Sequence, residues 1–94
     1  MIRFIFADTN TLTRIEREIS ARLECPYVSH EWIAENGYLP IHESYYDTII
    51  GVLKEFDGEF EVKELVEVKV NDDGSEELVF RNVDKSQLFT NKIK

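Results

Sequence analysis

The pattern of apolar residues predicts an α+β fold. It would have a small, mainly antiparallel sheet, built from an N-terminal strand and a C-terminal β-hairpin and covered on one face by two or three helices. Three observations lead there. Residues 2–7 are apolar on both sides of an extended chain, two later segments repeat apolar residues at helical spacing, and residues 59–83 alternate with period two around a turn signal. Ninety-four residues with 43% hydrophobic content suit one cored domain, 1–94.

In residues 2–7, Ile2, Phe4 and Phe6 share one side and Ile5 and Ala7 the other. A strand apolar on both sides belongs inside a sheet. Asp8-Thr9-Asn10-Thr11 then supplies helix-capping residues, and Leu12, Ile15, Ile19 and Leu23 follow along one helix face. Glu18 and Arg22 add a favourable i,i+4 pair. A first helix is therefore expected from about residues 10–12 to 24, stopped by Cys25-Pro26 because proline disfavours a helical residue before it. Ser29 as N-cap, Glu31 in the first turn and Asn36-Gly37 as a stop predict a short helix over 30–36, with a strand over 27–33 as the alternative. Residues 38–41 read as extended chain. Ser44 and Asp47 resemble a capping box ahead of the stripe Tyr46, Ile49, Ile50, Leu53 and Phe56, and Asp57-Gly58 ends that helix.

From Glu59 the period falls to two. Phe60, Val62, Val66, Val68 and Val70 share one side with Glu64 as the exception. Glu59, Glu61, Lys63, Glu67 and Lys69 share the other, with Leu65 as the exception, so a bulge is expected near 63–65. Asn71-Asp72-Asp73-Gly74 predicts a type I turn with Gly74 left-handed. Setting Asn71 opposite Ser75 pairs Val68 with Leu78, Val66 with Phe80 and Lys69 with Glu77. The charged side of the hairpin is expected to face solvent or a partner. Residues 84–94, with Leu88, Phe89 and Ile93 among polar and basic side chains, fit a helical turn, an added strand or, over 85–94, a loose docking tail.

Charge is strongly segregated. The net charge is −8, yet residues 1–23 sum to +1, residues 24–77 to −12 and residues 78–94 to +3. Glu31, Glu35, Glu43, Asp47, Glu55, Asp57, Glu59 and Glu61 face a single cation, Lys54, within that stretch. Such a middle repels phosphate and attracts basic protein surfaces over a Debye length, about 8 Å at physiological salt. Direct nucleic-acid binding is therefore not expected. The outline of helices followed by a hairpin resembles a winged helix-turn-helix, but Asp47 and Glu55 on the third helix and Asp72, Asp73, Glu76 and Glu77 at the hairpin contradict phosphate contacts. No apolar run approaches the ~20 residues of a membrane helix, and the start does not read as a signal peptide. One cysteine forbids an internal disulfide and agrees with a reducing compartment, so a cytoplasmic location is expected.

Catalytic signals are weak. Four scattered glycines make no phosphate-binding loop, and Cys25, His30 and His42 with Glu31 or Glu43 match no paired metal-ligand spacing. No serine or cysteine stands with a base and an orienting group in a recognisable pattern. The expectation is a non-enzyme with no cofactor and no metal. Trp32, Tyr27, Tyr38, Tyr45 and Tyr46 crowd into the acidic middle, and aromatics rimmed by polar groups are typical interface anchors. The functional expectation is a non-catalytic acidic module that blocks a basic, nucleic-acid-binding surface of a partner enzyme or toxin. Its candidate contact residues are Tyr38 and Tyr45 with the eight acids named above. In size and composition, though not in matched residues, this is similar to phage-encoded inhibitors of restriction or CRISPR nucleases and to toxin-immunity proteins. The alternative is a small structural or regulatory domain that self-associates as a homodimer without inhibiting anything.

Overall fold

A computed structural model describes residues 2–89 of the chain. The element order is β1 (Ile2–Phe6), α1 (Thr9–Leu23), α2 (His30–Asn36), β2 (Tyr38–Ile41), a 3-10 turn (Glu43–Tyr45), α3 (Tyr46–Glu55), β3 (Glu61–Val70), β4 (Glu76–Val83) and α4 (Lys85–Phe89). The strands form one antiparallel sheet in the order β2-β1-β3-β4. This is the α+β class the periodicity predicts, with β1 an inner strand.

Residues 38–41 form a strand rather than a mere extended link. Gly37 stands at φ +79 and caps α2 through its amide to the Ile33 carbonyl, a left-handed conformation glycine adopts without strain. That reversal lays Tyr38–Ile41 along β1, with Ile5 opposite Leu39 and Phe6 opposite Tyr38. α1 begins as its cap dictates: the Asp8 carboxylate accepts the Thr11 amide at 2.8 Å, which holds the Asp8 pKa below its usual range. Ser29 caps α2 through the Trp32 amide. The expected Ser44 cap of α3 is corrected. Residues 43–45 wind into a 3-10 turn, where the Ser44 amide donates to His42 Nδ1, and α3 starts at Tyr46 with no side-chain cap.

One sheet face meets the helices. Ile5, Leu39 and Val62 are fully buried there against Leu12, Ile15, Ile19, Ile33, Ile49 and Leu53. Leu88 of α4 joins this core at 5% exposure, so residues 85–89 form a seated helical turn. Residues 90–94, including Lys92, Ile93 and Lys94, lie outside the described residues.

The hairpin closes as its turn predicts. The Asn71 amide donates to the Ser75 carbonyl, and Gly74 at φ +89 donates to the Asn71 carbonyl. Val68 pairs with Leu78 and Lys69 with Glu77, but Leu65, not Val66, stands opposite Phe80. The register slips between Leu65 and Glu67, leaving Val66 as the extra residue. The slip corrects the expected division of the hairpin into a charged and an apolar side. Before it, Phe60 and Val62 face the core; after it, Val68 and Val70 turn to the opposite face and Glu67 and Lys69 to the helical side. Glu64 is then a buried acid on the core side, 2.7 Å from Arg81 directly across the ladder.

The connection from α1 to α2 is organised by a second buried acid. Glu16 is 4% exposed, and its carboxylate accepts the Ser20 hydroxyl at 2.6 Å, the Val28 and Tyr27 amides at 3.1 and 3.2 Å, and faces His30 Nε2 at 3.3 Å. Burial pushes its pKa up, but the Ser20, Val28, Tyr27 and His30 contacts together outweigh that and hold it below the ordinary 4.5. A carboxylate whose folded pKa is depressed stabilises the fold above its unfolded pKa and loses that contribution as pH falls through the folded value. Glu16→Ala is expected to lower stability by about 2 kcal/mol at neutral pH, since it removes hydrogen bonds to a charged acceptor. Urea titrations from pH 7 down to pH 3 should show that deficit shrinking as the wild-type carboxylate protonates.

Candidate functional site

Among the described residues the helices leave one face of the sheet uncovered. On β1 it carries Ile2, Phe4 and Phe6, on β2 Tyr38 and Pro40, on β3 Glu61, Lys63, Leu65, Val68 and Val70, and on β4 Glu76, Leu78, Phe80 and Asn82. Four of these side chains form an aromatic cluster. The Phe4 ring lies 4.9 Å from Tyr38 and 5.7 Å from Phe80, and the Phe6 ring lies 5.2 Å from each of the same two. Trp32 of α2 reaches the Tyr38 ring edge-on at 5.5 Å, extending the cluster past the β2 edge. Lys63 lies over the Phe6 ring at 4.8 Å and pairs with Glu61 at 3.7 Å. None of these rings belongs to the helix-side core or to the side chains packed against it.

Toward the hairpin tip the same face becomes frankly exposed. Val68 is 46% and Val70 70% accessible, with Leu78 at 40% across the ladder and Ile2 at 54% beside them on β1. A contiguous apolar stretch with a charged border marks an interaction surface more often than chance exposure.

The structure distributes the sequence-predicted contact residues widely. Tyr38 and Glu61 stand on the open sheet face. Tyr45 lies elsewhere, its ring 6.2 Å from Tyr27 and 5.5 Å from His42. Glu31 borders a concavity with Glu16, Ser20 and His30; Glu43 borders another with Arg3 and Tyr46. Glu55 and Asp57 line a third with Arg14, Arg17 and Arg22, where Arg22 pairs with Glu55 and Arg14 stacks on Phe56. Glu59 and Glu61 line a fourth with Phe6 and Lys85. Glu35 lies on α2 and Asp47 in the first turn of α3, both exposed. The eight acids are therefore spread around the molecule, and five of them (Glu43, Glu55, Asp57, Glu59 and Glu61) share a concavity with arginine or lysine from the chain's less acidic ends.

Sequence reasoning missed Phe4, Phe6 and Phe80 as site residues. The available signals were the Ile2-Phe4-Phe6 side of an inner strand and the misplaced Leu65, which announced that the hairpin's apolar side changes face. Among the described residues no three His, Cys, Asp or Glu side chains are grouped to hold a metal ion, and no helix is long and apolar enough to cross a membrane. The Glu16–His30 contact supports the α1–α2 connection through backbone amides and thus has a folding role.

Because the tip residues are exposed, Val68→Thr and Val70→Thr should each change stability by less than about 0.5 kcal/mol. Ile49→Ala in the core should cost about 2–5 kcal/mol. Thermal melts distinguish the two classes, and the paired threonine variant should also bind less of an apolar fluorescent dye. Comparison with protein-family models, with curated proteins and with solved structures finds no match to this chain.

Proposed function

We propose that this protein is a non-catalytic protein-binding module that docks through the open face of its sheet onto a basic surface of a partner, and inhibits that partner by covering it. The observation that carries the reading is the Phe4, Phe6, Tyr38 and Phe80 cluster on a sheet face that no helix covers among the described residues. Rigid aromatic anchors slow release from a partner, and a net charge of −8 steers the approach of a cationic one. Enzymes and toxins that act on nucleic acid are a partner class whose surfaces must be basic, since they bind phosphate.

The anchoring role assigned here to the sheet differs from a phosphate-mimicking row of carboxylates. Such a row needs its acids on one surface, whereas Glu55 and Asp57 look toward Arg14, Arg17 and Arg22. The carboxylates then serve as a diffuse steering field and the rings as the contact. A second reading, self-association, has its own observation in the bare edge of β4.

Photo-crosslinking in cells of the source organism tests the proposal. A benzophenone side chain at Val68 should capture a partner with a cationic surface, and the same group at Arg17, on exposed α1, should not. The captured partner's activity should fall when the wild-type chain is added and recover by at least tenfold in apparent affinity with Phe4→Ser and Phe80→Ser together. Equal capture from both positions, or capture of nothing but the chain itself, would sink the reading.

A further inference from the structure

The sheet ends in two edges, and they differ. β2 is short, contains Pro40, and is covered by Tyr27, whose hydroxyl donates to the Pro40 carbonyl at 2.5 Å and accepts the His42 amide at 2.9 Å. Those two backbone groups are the ones a further strand would need, so this edge is closed. β4 is eight residues long and contains neither proline nor lysine, and among the described residues no strand lies beyond it. A long edge guarded only by the charges of Glu76, Glu77 and Arg81 remains a template for addition of a strand that complements them.

We infer that β4 pairs with β4 of a second copy of this chain, antiparallel and centred on Val79, to give a continuous eight-stranded sheet. The occupant follows from charge and side-chain complementarity. Asn71 and Ser75 form a hydrogen-bonded pair at the turn, so the alternation of an antiparallel ladder directs the backbone of 77, 79, 81 and 83 toward β3. The amides and carbonyls of Glu76, Leu78, Phe80 and Asn82 consequently point outward. A two-fold axis at Val79 sets Leu78 opposite Phe80 and Glu76 opposite Asn82 of the second copy, all four with outward backbone groups. It also sets Glu77 opposite Arg81, twice by symmetry, on the helical side of the sheet.

Neighbouring registers are poorer. Centring on Leu78 places Glu76 against Phe80 and Glu77 against Val79; centring on Phe80 places Leu78 against Asn82 and Arg81 against Val79. Of the three, only the Val79 axis pairs apolar with apolar at 78/80 and 79/79 and acid with base at 77/81, leaving Glu76 against the neutral amide of Asn82. Arg81 is available for this, since its side chain is 66% exposed although it already contacts Glu64. The bare tip, whose Glu67, Lys69 and Glu77 lie beyond the helices, leaves space for the helical layer of the second copy. The inference does not rest on the proposed partner binding, because pairing at the edge leaves the open aromatic face free and merely doubles it.

Sedimentation velocity from micromolar to millimolar concentration, with a cysteine cross-link to read the register, tests it. In a Cys25→Ser background, Val79→Cys should form a disulfide-linked dimer under mild oxidation, since residues on a non-hydrogen-bonded two-fold pair lie about 4.5 Å apart at Cα. Glu76→Cys in the same background should not, because its symmetry mate is about 20 Å away along the strands. Leu78→Pro removes one outward amide without touching the β3–β4 ladder and should abolish the dimer while retaining the wild-type circular dichroism. A monomer at millimolar concentration, or a dimer in which Glu76→Cys cross-links and Val79→Cys does not, would overturn the inference.

Discussion

One extra residue in β3 determines what this molecule presents to its surroundings. Upstream of Val66 the strand obeys the needs of the core, burying Phe60 and Val62 beneath the helices. Downstream the faces exchange, because a side-chain period of two converts a one-residue insertion into a complete reversal. Val68 and Val70 join Leu78 on the side of Phe4 and Phe80, and the apolar character of the hairpin is carried from the core face to the open face. Without the bulge, the same valines would lie on the helical side and the open face would be striped with Glu67 and Lys69.

The helical side tolerates this exchange because its charged positions have been provided for. Glu64 falls on the core face just before the slip and is matched across the ladder by Arg81, with Arg3 as its neighbour on β1. Arg3 in turn donates to the Tyr46 hydroxyl at 3.1 Å, which ties the start of α3 to the sheet. Glu16 does comparable work at the other end by collecting the donors of the α1–α2 connection. Both acids are buried, Glu16 among several donors and Glu64 against the Arg81 guanidinium, and pairing of this kind is the condition under which a buried charge is tolerated.

Much of the architecture was legible from local physics. The caps Asp8 and Ser29, the left-handed Gly37 and Gly74, the Asn71–Ser75 closure and the Val68–Leu78 pair are all set by interactions within a few residues, and residue types report such interactions directly. The strand status of residues 38–41 was not legible, because four residues with a proline become a strand only when β1 is alongside. The 3-10 turn at 43–45 was missed because Ser44 and Asp47 carry a correct-looking cap pattern that His42 pre-empts. The site was the least legible part. Acid clustering in sequence says nothing about direction, and the structure sends Glu31, Glu43, Glu55 and Glu59 to four different concavities. Leu65, an apolar residue out of phase by one, carried more information about the open sheet face than the eight carboxylates together.

The two open features of the sheet, its aromatic face and its β4 edge, are physically linked. Covering the face with a helix would require a connection that crosses it, and every described connection instead runs on the core side or around a short turn. An uncovered face leaves the adjoining edge strand accessible from one more side, so protection of the edge must come from its own residues. β2 receives that protection from Pro40 and Tyr27, and β4 has only the Glu76, Glu77 and Arg81 charges. Those charges repel a strand of random sequence and suit one whose order of charges is their own reversed. An edge of this composition discourages indiscriminate strand addition while remaining compatible with a single symmetric partner.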